Sequence, residues 1–67
     1  MLVGMVVEFD ERAGLGAVEP VEGGRVSFHC TQIADGSRHI EVGTQVRYEL
    51  VPGNLGVWEA GSLEPVG

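Results

Sequence analysis

Gly14-Leu15-Gly16-Ala17-Val18-Glu19-Pro20-Val21-Glu22-Gly23-Gly24-Arg25-Val26-Ser27-Phe28-His29-Cys30 consists of two short β-rich runs on either side of a turn. Pro20 to Gly24 is the turn, with Gly23-Gly24 supplying positive φ without a side-chain penalty. Alternation along the second run puts Val26, Phe28 and Cys30 on one side and Ser27 and His29 on the other. The runs are predicted to form a β-hairpin, so its outward residues Leu15, Ala17, Ser27 and His29 share one sheet face. What those side chains offer decides what the hairpin can bind.

Upstream, Leu2 to Phe9 reads as a strand with Val3, Val6, Val7 and Phe9 as inward candidates. Gly4 within it marks a bend or a close backbone approach. Asp10 to Gly14 is a polar turn. Downstream, Thr31-Gln32-Ile33-Ala34 is predicted to make one helical turn capped by Thr31, followed by an exposed loop from Asp35 to His39 and a turn at Glu41-Val42-Gly43. Thr44 to Val51 alternates, with Val46, Tyr48 and Leu50 on one face and Gln45, Arg47 and Glu49 on the other. Pro52 to Gly56 is a loop, and Val57 to Leu63 a last strand. Short strands, close turns and almost no helix predict an all-β fold. Barrel closure would protect the edge strands. The longest connection, between the third and fourth strands, suits a five-stranded antiparallel Greek-key barrel of the OB type.

At 67 residues the chain is read as a single domain, 1–67, with a modest core. A lone cysteine, Cys30, cannot form an internal disulfide. With no positively charged leader, it points to a reducing cytoplasm. Glu8 and Asp10 interrupt the apolar N-terminal run long before membrane-spanning length, so no membrane association is expected. The formal net charge is −6, and Arg12, Arg25, Arg38 and Arg47 are the only basic residues besides histidine. Such acidity opposes tight, salt-driven binding to a phosphate backbone, although one neutral or basic face can still exist.

The order of these segments resembles the bacterial cold-shock domain over nearly the whole chain. Gly4-Met5-Val6-Val7-Glu8-Phe9-Asp10 sits where that family has Gly-x-Val-x-Trp-Phe-Asn. Ala13-Gly14-Leu15-Gly16-Ala17-Val18 resembles its Lys-Gly-Phe-Gly-Phe-Ile motif, and Val26-Ser27-Phe28-His29-Cys30-Thr31-Gln32-Ile33 its Val-Phe-Val-His-Phe-Ser-Ala-Ile motif. Glu41 to Val46 matches the Gly-x-x-Val turn into the fourth strand. The resemblance implies a compact OB barrel that binds single-stranded DNA and RNA without a cofactor. The departures are confined to the ligand face. Glu8 replaces the Trp, Leu15 and Ala17 replace two Phe, Ser27 and Cys30 replace two more, Ala13 replaces the Lys, and Ser37 stands for a loop Phe. Each lost stacking partner removes roughly 1–3 kcal/mol.

The resemblance therefore implies weak, sequence-tolerant binding to single-stranded RNA or DNA through Phe9, Arg12, Leu15, His29 and Arg38. Trp58, on the last strand, is a further candidate; its parity leaves stacking, core packing and a protein contact all open. His29 is read equally as a base contact or as a surface histidine on a retired face. Phe28, in phase with Val26, is assigned to the core, and Arg47 to solubility. Cys30 is read as a small buried filler. Neighbouring His29 and Cys30 point to opposite faces, and no Cys-x-x-Cys or His-x-x-x-His spacing predicts a metal site. No catalytic constellation stands out, so a non-enzyme is expected. The competing expectation is a scaffold that has lost nucleic-acid binding and uses the Leu15/Ala17/Ser27 face for a protein partner or a homodimer.

Overall fold

The computed structural model describes residues 2–53 and 56–66. Its strands are β1 (Leu2–Asp10), β2 (Leu15–Pro20), β3 (Val26–His29), β4 (Gln45–Pro52) and β5 (Trp58–Pro65), with a 3-10 turn over Cys30–Gln32. All five belong to one antiparallel sheet in the order β3-β2-β1-β4-β5. The sheet curls, but its ladder does not close. Among the described residues, its ends are linked by an isolated parallel bridge from Ile33 to Leu63 and by the Ala34 amide donating to the Leu63 carbonyl at 2.8 Å. No described helix is long and apolar enough to cross a membrane.

Two irregularities set the side-chain parity. In β1, Val6 pairs with Val18 and Glu8 with Ala17, so Val7 is the extra residue of a β-bulge. The bulge lets Val6 and Phe9, three positions apart, both turn inward and sends Glu8 outward. In β5, Glu64 pairs with Arg47 and Gly61 with Glu49, and Ser62 takes φ 52° in between. Its amide donates to Gln32 Oε1 at 3.3 Å, and Ala60 and Leu63 can then both enter the core.

That core contains Val6, Val18, Phe28, Ile33, Ile40, Val46, Tyr48, Ala60 and Leu63, with Phe9, Val26 and Cys30 packed against it. Ile33 and Ile40 anchor the long connection between β3 and β4. Gly4 makes the close approach expected of it: an added Cβ would lie 2.6 Å from Val18 Cγ1 and 2.7 Å from the Glu19 carbonyl oxygen.

Several sequence expectations need correction. Val3 is exposed, because its parity is set by Gly4 and Val6 facing inward. Leu50 is 45% exposed although it is in phase with Tyr48, since it reaches past the end of the core. β3 ends at His29, and the following turn starts at Cys30 with His29, not Thr31, at its N-cap. Cys30 is half-buried rather than sealed. Asn54 and Leu55 of the expected loop lie outside the described residues, and Pro52 ends β4.

Candidate functional site

The register of β1, β2 and β3 builds the outer face row by row. Glu8, Ala17 and Ser27 lie side by side in one row, and Asp10, Leu15 and His29 in the next. Between them on the opposite face runs Phe9–Gly16–Phe28. The missing side chain at Gly16 lets the two rings stack across it, with centroids 6.0 Å apart and planes 6° from parallel. A Cβ there would stand 2.5 Å from Phe28 Cζ and 2.7 Å from the Glu8 carbonyl oxygen.

A shallow hollow of about 400 Å³ opens on the outer face, lined by Glu8, Asp10, Ala13, Leu15, Gly16, Ala17, Arg25 and Ser27. Ala17 is only 5% exposed yet points outward: it is the floor, covered by its longer neighbours. Leu15, half exposed, is the apolar wall. Arg25 reaches over Ala17 from the start of β3 to Glu8 on β1, with Nη1 3.7 Å from Oε2. Both side chains remain well exposed, so solvent screens this pair.

His29 ends β3 with its ring fixed from below. The Thr31 backbone N–H donates to its Nδ1 at 3.3 Å, and Thr31 Oγ1 lies 3.0 Å from the same atom. An accepting Nδ1 assigns the neutral ring proton to Nε2, on the far edge of the imidazole. The ring therefore presents an N–H donor and a π-face at one end of the Leu15 row.

The loops carrying Arg12 and Arg38 meet at that end. Asp10 Oδ1 accepts the Arg12 and Ala13 amides at 3.0 and 3.1 Å and shapes the turn from β1 to β2. In the long connection, Asp35 Oδ1 accepts the Ser37 amide at 2.9 Å; these Ser37 hydrogen bonds hold the Asp35 carboxyl below its usual pKa. Arg38 follows with φ 60°. The two loops are tied by His39, whose Nδ1 is 3.0 Å from Glu11 Oε1 and whose Nε2 is 3.7 Å from Glu41 Oε1. The His39 ring also meets Phe9 edge-on at 5.8 Å. Arg12 and Arg38 are exposed and have no carboxylate partner among the described residues.

Of the residues singled out from the sequence, Leu15 and His29 thus share a face, with Arg12 and Arg38 on loops joined beside it. Phe9 does not join them: it is half-buried on the opposite side, between Phe28 and His39. Trp58 is 59% exposed, which excludes core packing, but it pairs with Pro52 at the β4–β5 end and does not line the hollow. Arg25 and Asp10 were missed. Their signal was positional, since each sits where a strand begins or ends beside an outward residue, but parity alone does not show that Arg25 spans to Glu8. No cluster of three His, Cys, Asp or Glu side chains suited to a metal occurs among the described residues. In comparisons with known proteins, no family model matches this chain and no curated protein matches it.

Proposed function

We propose that this chain is a cold-shock-like domain of the Greek-key OB type that binds single-stranded RNA or DNA weakly on the β1–β2–β3 face. The strand order supports the fold reading: three hairpin-connected strands are followed by a fourth that returns beside the first. The observation that carries the functional reading is the register. It gathers Leu15, Ala17 and Ser27 around one open hollow with Arg25 at its rim, and it sets the fixed His29 ring beside Leu15.

A base lying on the Ala17 floor would pack against Leu15 and the imidazole and accept from His29 Nε2–H. Arg12 and Arg38, on the loops beside this face and without a carboxylate partner among the described residues, would meet phosphate, while Arg25 is shared with Glu8. One stacking contact is worth roughly 1–3 kcal/mol, which places the dissociation constant near the millimolar range once a few polar contacts are added. Base-edge recognition is sparse, so binding is sequence-tolerant.

A second reading is favoured by Glu8 and Asp10, which line the β1 side of the hollow next to the exposed Leu15 wall and repel phosphate. On that reading the same face contacts a protein, or a second copy of the chain. Titrating oligo-dT and mixed-sequence RNA at low salt separates the two. Saturating chemical-shift changes at Leu15, Ser27 and His29 support nucleic-acid binding. A silent face at millimolar strand, together with concentration-dependent light scattering, supports the protein contact.

A further inference from the structure

A second hollow, of about 430 Å³, shares no lining residue with the one described above. It opens where Leu2 of β1 pairs with Tyr48 of β4, and the turn between β2 and β3 overhangs it. Its walls are Leu2, Val3, Pro20, Val21, Val26 and Leu50. Leu2, Val21 and Leu50 leave 39%, 80% and 45% of their surface in solvent, so the apolar rim is uncovered among the described residues. The volume falls within the range of small-molecule pockets.

Tyr48 and Glu22 are the two residues of the lining with polar side chains. Tyr48 is 1% exposed and lines the hollow. Glu22, in the overhanging turn, is the one charged residue of the lining. Burial, and then the Glu22 charge, hold the Tyr48 hydroxyl above its usual pKa.

We propose that this hollow binds a small organic ammonium ion with a compact apolar body. The hydrocarbon packs on Leu2, Pro20, Val26 and Leu50, and the ammonium N–H groups donate to the Tyr48 hydroxyl oxygen and the Glu22 carboxylate. The charge selects against the alternatives. A carboxylate ligand would meet Glu22 and a chain of net charge −6. A neutral alcohol can pair with Tyr48 but gains nothing from Glu22.

The test is an NMR titration of the intact chain with butylammonium, 1-butanol and butyrate, following the methyl groups of Leu2, Val21, Val26 and Leu50. Butylammonium should bind about fivefold more tightly than butanol, the size of one exposed ion pair, and butyrate more weakly than either. Glu22→Gln, on an exposed turn and harmless to the core, should bring butylammonium down to the level of butanol. Tyr48→Phe should weaken both. The proposal is overturned if butanol or butyrate binds as tightly as butylammonium, if Glu22→Gln leaves the preference intact, or if those methyl groups stay unmoved at tens of millimolar.

Discussion

Glu8 and Arg25 face each other across Ala17, and their charges largely decide how the outer face meets an anion. Replacing Glu8 by Gln removes one negative charge from the rim and releases Arg25. Affinity for oligo-dT should rise about threefold to tenfold at low salt, with the gain fading as salt screens it; fluorescence or shift titrations at two ionic strengths check this. An unchanged affinity would mean that strands do not approach this rim. Gly16 makes an opposite point, about packing. Its Cβ position is occupied by the Phe28 ring and the Glu8 carbonyl, so Gly16→Ala must displace the backbone or unstack Phe9 from Phe28. Overpacking of this kind should cost about 1–3 kcal/mol, read as a lower urea midpoint with an unchanged m-value.

At the scale of the element, both irregular strands owe their inward residues to one extra residue. Ser62 sits in the left-handed region at φ 52°, where a β-branched side chain is strongly disfavoured. Ser62→Val should destabilise the fold by about 1–3 kcal/mol, and Ser62→Gly should be neutral or mildly stabilising; equal midpoints for the two variants would contradict the bulge. The same bulges mark where the sequence stopped being legible. The hairpin from Leu15 to His29 could be read correctly because its alternation is unbroken and its turn holds Gly23 and Gly24, both at positive φ. β1 could not: strict alternation does not put Val6 and Phe9 on one side, and the inserted Val7 resolves that only once the pairing with β2 is known. For the same reason Phe9 reads both as an inward residue and as a ligand-face residue, and the register turns it inward, half-buried against the core. His29 was found by parity, whereas Arg25 needed the cross-strand distance to Glu8. The buried Ile33 and Ile40 give no periodic signal, because each is a single anchor in an irregular connection.

For the whole molecule, net charge and alkaline stability provide further checks. Tyr48 is protonated and buried, with its pKa raised by that burial and then by Glu22. A raised folded-state pKa contributes stability in full below the unfolded value of 10.0, and that contribution is lost as pH rises through the folded value. Urea midpoints should therefore hold steady to about pH 9 and fall above 10, and Tyr48→Phe should flatten that fall. The charge of −6 leaves few cations for phosphate, so the salt dependence of strand binding should be shallow, with a log–log slope of about −1 from Arg12 and Arg38. A slope several times steeper would require a basic surface that the described residues do not form. The most direct test of the outer face is an amide and imidazole shift map on adding oligo-dT at low salt. Saturating changes are expected at Leu15, Ala17, Arg25, Ser27 and His29, with Val21 and Leu50 at the second hollow unmoved. Changes confined to other surfaces, or none at millimolar strand, would contradict strand binding on this face.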